Sequence, residues 1–205
     1  AWDRFFYGWY LRTIGRFDEA IAESLIALEK DPFNFYISTE VGLTFLKAGR
    51  VDESIERQKR IIDQYPGGFL AHQYLGEAME AKGMLNDAIA SYEKASILSN
   101  GNPMVETKLA CAWHKAGKEE EARDKIEQVE QMMKAVYVPP SSLLPYYLIS
   151  EDLDRAFHWF NKACEERDLN LTNLLATPIQ DYRMPDHPRF HALLEKNGLI
   201  DYIIS

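Results

Sequence analysis

Apolar residues recur along this chain as an i, i+4 stripe, and the stripe itself recurs: Tyr7 with Leu11, Val41 with Phe45, Leu75 with Met79 and Leu109 with Trp113. Each pair brackets a small residue, Gly8, Gly42, Gly76 or Ala110. The spacing predicts one amphipathic helix per block, apolar on a single face and thin at one point. Seven residues on, Gly15, Gly49, Gly83 and Gly117 stand in register. Glycine enters the left-handed region at low cost and so stops a helix. A second helix is expected after each, with Asp18, Asp52, Asn86, Glu120 and Asp154 near its positive end. Its inner face carries Ala20, Ser54, Ala88, Ala122 and Ala156, flanked by Ile21, Ile55, Ile89 and Phe157. Ala27, Ala95 and Ala163 then supply another small position, filled by Ile61 and Val129 in the second and fourth blocks. Pro32 and Pro66 end the second helix of the first two blocks.

All of these series share one period, 34 residues. Each block is a helical hairpin that leaves an apolar face uncovered until a neighbour stacks on it. The expectation is an all-α, right-handed superhelical solenoid of antiparallel helix pairs, with five repeats over 1–34, 35–68, 69–102, 103–136 and 137–170. In the fifth, Pro145 falls within the first turn of a helix starting at Ser141 or Ser142. Beyond 170 the period is lost. A short helix over 171–177, a loop over 178–186 with Pro178 and Pro185, and a helix over 187–196 stopped by Asn197-Gly198 are expected as a C-terminal cap over 171–205. The apolar run Leu199 to Ile204 would cover the last repeat.

Gly8, Ala20, Ala27 and Pro32, repeated at intervals of 34, resemble the tetratricopeptide repeat family. The pentatricopeptide family of RNA readers usually has a period one residue longer, and its phase would drift along the chain. The departures from the family are the missing aromatic at the fourth position, where Arg4, Ser38, His72, Glu106 and Pro140 stand, and the missing prolines at Asn100 and Lys134. The fourth repeat is polar at Glu119, Arg123 and Glu130. A second resemblance runs from Tyr137-Val138-Pro139-Pro140 through Asp154-Arg155-Ala156-Phe157-His158-Trp159-Phe160 to Asp186-His187-Pro188-Arg189-Phe190. It is similar to the closing segment of bacterial multidomain regulators, in which a repeat array follows a cyclase, kinase or transcription-factor domain. That likeness implies a regulatory context.

The chain has 205 residues and a formal net charge of −9. No basic run offsets that charge, so nucleic acid is not an expected partner. No stretch approaches the roughly 20 apolar residues of a membrane helix, so no membrane insertion is expected. Cys111 and Cys164 lack a CxxC partner and suggest neither a disulfide framework nor a zinc site. They suit a reducing compartment; the cytoplasm is the expected location, with the periplasm the alternative that relatives of the C-terminal motif allow. A first residue Ala1, with helical sequence at once, reads as a fragment or processed chain.

Function then has to come from a surface. The expected partner is a protein or peptide segment lying in a concave groove built from the first helix of each repeat. The stripe beside the buried one supplies Trp2, Phe5, Trp9 and Arg12, then Tyr36, Thr39 and Leu43, then Gln73, Glu77 and Glu80, then Thr107, His114 and Lys115. Aromatic rings at one end suit apolar anchors, and Glu77 with Glu80 suits a basic residue. The two-lysine, two-asparagine clamp that some family members use for an acidic tail is missing. The aromatic cluster at 2–10 has another reading, that it packs against the second helix or against a preceding repeat; where such a repeat is missing, the end it leaves exposes apolar area through which two copies can pair. No catalytic, cofactor or metal constellation is expected: Glu165-Glu166 and Glu119-Glu120-Glu121 fan around a helix, Pro188 sets His187 apart from His191, Cys164 takes a small core position, and Gly67-Gly68 is a turn.

Overall fold

The structure is a computed structural model that describes residues 1–168, 170–171 and 188–199. Most of the helix expected over 171–177, the loop over 178–186, His187 and the apolar run beyond Leu199 lie outside the described residues. The described residues contain α-helices and one 3-10 turn and no strand. First and second helices of the repeats alternate: α1 (Trp2–Thr13), α2 (Phe17–Lys30), α3 (Phe35–Lys47), α4 (Val51–Gln64), α5 (Phe69–Ala81), α6 (Leu85–Leu98), α7 (Pro103–Lys115) and α8 (Glu119–Met132). A 3-10 turn (Pro140–Ser142) leads into α9 (Leu144–Ile149), followed by α10 (Leu153–Glu165) and α11 (Pro188–Lys196). The fold is therefore all-α and built of repeated hairpins. It divides into two compact units, Ala1–Val105 and Glu106–Ser205, with the division inside α7.

The hairpin turns follow from one conformational requirement. Gly49 and Gly83 sit at φ of 76° and 79°. From there Arg50 N–H reaches back to the Phe45 carbonyl at 2.9 Å and Met84 N–H to the Met79 carbonyl at 2.8 Å, closing the helix end. In the fifth repeat Glu151 holds the same place at φ 59° without being glycine. The next helix carries acids in its first turn, Asp18 and Glu19 in α2, Asp52 and Glu53 in α4. Arg16 and Arg50, the residues before those helices, pair with Glu19 and Glu53. α2 and α4 finish two residues before Pro32 and Pro66.

Within a hairpin the helices touch at the small residue. A Cβ on Gly8 would lie 2.9 Å from Ser24 Oγ, one on Gly42 would overlap the Gln58 amide, and one on Gly76 would lie 2.7 Å from Tyr92 Cε1. The opposing residues share one phase of the repeat, and Ser24, Gln58 and Tyr92 are all buried. In the first unit the core then runs through Phe5, Ile21, Ala27, Ile37, Val41 and Phe45, and separately through Ile55, Leu75 and Ala78. Nine consecutive residues of α3, Ile37 to Phe45, are buried, because the helix is packed by α1, α2, α4 and α5.

The second unit has one core that joins Ala110, Ile126, Val129, Leu144, Tyr147, Phe157 and Phe160 to Phe190 and Leu194 of α11. Phe190 lies 4.2 Å from Phe157 and 5.7 Å from Phe160 between ring centroids, so α11 caps α10. Pro145 does lie in the first turn of α9, although that helix starts at Leu144 and is preceded by the 3-10 turn. Glu130, a polar intrusion in the sequence pattern, accepts a hydrogen bond of 2.6 Å from the Tyr147 hydroxyl and so ties α8 to α9.

The contact at Gly76 gives a direct test. Gly76→Ala drives its methyl against a tyrosine ring that is 1% exposed and should cost about 1–3 kcal/mol in urea unfolding. Gly67→Ala, whose methyl would meet nothing within 4 Å, should stay within about 0.5 kcal/mol of the parent.

Candidate protein-binding face

In the first unit α1 packs on α3 and α3 on α5, so the first helices of three repeats form one face. Its surface begins with aromatic rings. Trp2, Trp9 and Tyr36 are 46%, 41% and 42% exposed, whereas Phe5 is buried. Trp2 and Tyr36 stack with centroids 6.2 Å apart, and Phe5 meets each edge-on at 5.5 Å. Edge and stack contacts of this kind hold rings in place while leaving their outer faces to solvent.

Beside the rings lies a network that spans three repeats. Arg12 on α1 donates through Nη2 to Glu40 Oε2 at 3.0 Å and through Nη1 to Thr44 Oγ1 at 3.2 Å, both on α3. The other oxygen, Glu40 Oε1, accepts from the Tyr74 hydroxyl of α5 at 2.7 Å. The ion pair is nearly sealed, with side chains 11% and 7% exposed. A buried pair of this kind contributes little net energy when intact but costs several kcal/mol when one partner is removed, because a lone charge stays behind. Burial, followed by the Glu40 carboxylate, pushes the Tyr74 hydroxyl well above the usual tyrosine range. Tyr74 therefore remains a donor at every physiological pH. Further along, Gln73 donates to Glu77 Oε1 at 3.1 Å and Tyr92 to Glu80 Oε2 at 2.8 Å.

The expected groove residues divide accordingly. Trp2, Trp9, Arg12, Tyr36, Glu77 and Glu80 are at least partly accessible on this face. Phe5, Thr39, Leu43 and Gln73 are buried. Thr39 is occupied locally: its hydroxyl bonds the Tyr36 carbonyl at 2.8 Å, and its own carbonyl accepts from Gln58 Nε2 at 2.9 Å. Thr107, His114 and Lys115 belong to α7 in the second unit, where Thr107 is buried and His114 meets Tyr146 edge-on at 6.0 Å. Glu40 and Tyr74 are absent from the stripe read in the sequence. The only available signal was an acid inside an otherwise uncharged run, Phe35 to Phe45.

The remaining reactive groups have structural explanations. Among the described residues no group of three or more His, Cys, Asp or Glu is arranged to hold a metal ion. Glu119, Glu120 and Glu121 are exposed, and Glu165 and Glu166 engage Asn161 and Lys162 on their own helix. His72 is hydrogen-bonded to the Pro66 carbonyl while its Nε2 is buried without a partner, and burial lowers its pKa. Cys111 is buried; Cys164 is half-buried, and burial with help from Glu165 pushes its thiol up to about 11. Also among the described residues, no helix is long and apolar enough to cross a membrane.

The thiol makes a prediction that separates a core cysteine from a nucleophile. At pH 7.5 the thiolate population of Cys164 falls roughly a hundredfold below that of a free cysteine, so iodoacetamide should label it about two orders of magnitude more slowly. Labelling at the rate of free cysteine would show the site to be activated.

Comparison with known proteins agrees with this geometry. Residues 7–69 and 40–103 match the model of the tetratricopeptide repeat family. A tetratricopeptide repeat protein from Thermus thermophilus superposes with a TM-score of 0.67 at 23% identity, covering 82% of this chain and 93% of that one. MamA from Desulfovibrio magneticus gives a TM-score of 0.56 at 18% identity, covering 66% of this chain and 76% of that one. Identities of this size establish the fold alone. A search of curated protein sequences finds no match. The segment 7–103, which carries Trp9, Tyr36 and the Arg12–Glu40–Tyr74 network, is thus tetratricopeptide repeat sequence in an all-α helical-repeat fold.

Proposed function

We propose that the chain is a protein-interaction scaffold whose first unit takes a peptide or protein segment on the face formed by α1, α3 and α5. One observation carries this reading. Trp2 and Tyr36 expose rings that are stacked on each other and fixed by Phe5, with Trp9 exposed on the same helix and a sealed ion pair alongside, an arrangement that suits apolar side chains without first having to order itself. The tetratricopeptide repeat match supports a scaffold of this kind. Glu77 and Glu80, two helices further on, add negative charge where a basic residue of the ligand would lie.

A second reading is a regulatory or self-association domain within a larger bacterial signalling protein. It rests on the likeness of the C-terminal segment to such regulators and on the outward face of α1, which is apolar and uncovered.

Replacing Trp9 and Tyr36 by Ala tests the scaffold. Both side chains are more than 40% exposed, so helicity should be retained. Each truncation should weaken partner capture by roughly 10- to 100-fold if these rings are binding anchors. A partner captured equally well by the parent chain and the double variant would place the contact elsewhere.

A further inference from the structure

Two hairpins join the fourth position of the repeat to the twenty-third with an ion pair. In the first, Arg4 Nη1 lies 2.8 Å from both carboxylate oxygens of Glu23. In the fourth the charges are exchanged, and Lys125 Nζ lies 2.7 Å from Glu106 Oε2. The third hairpin has no charge to balance at these positions. Burial keeps His72 neutral, and the Ser91 hydroxyl bonds the Asp87 carbonyl of its own helix at 2.9 Å. In the second hairpin the two positions hold Ser38 and Arg57, so a guanidinium faces a position whose side chain is short and uncharged.

No acid of the neighbouring helices makes up the difference. Arg57 is half-buried and makes no hydrogen bond or ion pair among the described residues. Burial lowers its pKa, and the charged group that acts on it is another cation, Arg60, on the same side of α4. Of the acids on α4, Asp52 is held by Lys82 at 2.7 Å and Glu53 by Arg50, while Glu56 and Asp63 lie on other sides of the helix. The helices packed against α4 are α3 and α5. Glu40 of α3 is shared by Arg12 and Tyr74, and on α5 Glu77 and Glu80 accept from Gln73 and Tyr92. Arg57 is therefore a partly desolvated cation beside a second cation, in a chain whose net charge is −9. Such a group gains from any carboxylate that reaches it.

We propose that Arg57, with Arg60 alongside, binds an Asp or Glu side chain of a partner protein segment lying across α4. The choice of a carboxylate follows from the repeat itself. In both bridged hairpins the anion at this junction is a side-chain carboxylate, Glu23 or Glu106. Arginine suits the task, because its planar fork can hold both oxygens and it gives up water more readily than lysine does. Arg60 is exposed and adds attraction more than binding strength. This contact stands on a second helix of the first unit. It goes beyond the face formed by α1, α3 and α5 and does not depend on it.

Fluorescence anisotropy of a labelled hexaglutamate peptide, titrated with the whole chain at low ionic strength, tests this. Saturable binding is expected. Arg57→Gln should weaken it about tenfold or more, the loss of one charge-assisted pair. Ser38→Glu should weaken it as much, because the chain's own carboxylate then takes Arg57 as Glu106 takes Lys125. Lys59→Gln removes the same unit of charge from an exposed position of the same helix and should change the affinity by no more than about threefold. As a second measurement, the Arg57 Nε–H resonance of the labelled chain should shift as the peptide saturates it. A peptide that does not bind saturably overturns the proposal, as does an equal loss with Lys59→Gln and Arg57→Gln. So does a folded Ser38→Glu chain that binds like the parent. If Ser38→Glu loses helicity, the comparison of Arg57→Gln with Lys59→Gln decides. Inorganic phosphate that displaces the peptide better than acetate at equal ionic strength would overturn the carboxylate assignment in favour of a phosphorylated segment.

Discussion

Everything in this fold depends on how closely the two helices of a hairpin approach at the eighth position of the repeat. Where Gly8, Gly42 and Gly76 stand, the facing side chain lies against bare backbone, and a single methyl group would push it away. That approach sets the inclination of each hairpin, hence the surface on which the next hairpin lands. Interiors packed at crystal-like density have no slack to absorb a change there. The turn glycines matter in a different way. They decide where the first helix stops, and the left-handed Glu151 shows that another residue can occupy that conformation when the surrounding packing demands it.

Hairpins alone leave the first helices free to slide, and the Arg12–Glu40–Tyr74 network restricts that freedom. It joins α1, α3 and α5 through one carboxylate whose two oxygens are both used. Because the ion pair is almost out of water, any shift of register would strand a charge. The aromatic rings of α1 and α3 therefore sit on a frame held from both sides, by Phe5 below and by the polar network alongside. Rigid anchors lose less freedom on binding than flexible ones, which links this packing to function.

Much of this was legible in the sequence because it repeats. The small residues, the glycine turns and the prolines fall at fixed intervals, and each has a local conformational reason. What faces the small residue was not legible: Ser24, Gln58 and Tyr92 share one phase, with Ile126 and Phe160 at the same place in the last two repeats, but no chemistry, so no pattern of hydrophobicity marks them. All five are buried, Gln58 through its amide bond to Thr39. The groove stripe was legible only in part. Helical spacing puts Phe5 and Thr39 beside Trp2 and Tyr36, but the adjacent first helix covers that edge. A pairing such as Arg12 with Glu40, 28 residues apart and in different repeats, leaves no local trace. In the second unit the shortened α9 and the capping of α10 by Phe190 and Leu194 arise from tertiary packing after the period has broken down.

The four tryptophans offer the most direct measurement of the central claim, that the first-helix face of the first unit is where a partner binds. Trp2 and Trp9 lie on α1, whereas Trp113 and Trp159 lie on α7 and α10, packed with the core of the second unit. Indole N–H resonances of the labelled chain, followed by NMR as a captured partner segment is added, report on all four at once. The account predicts that Trp2 and Trp9 shift as the partner saturates the chain while Trp113 and Trp159 stay in place. Shifts confined to Trp113 and Trp159 would contradict it.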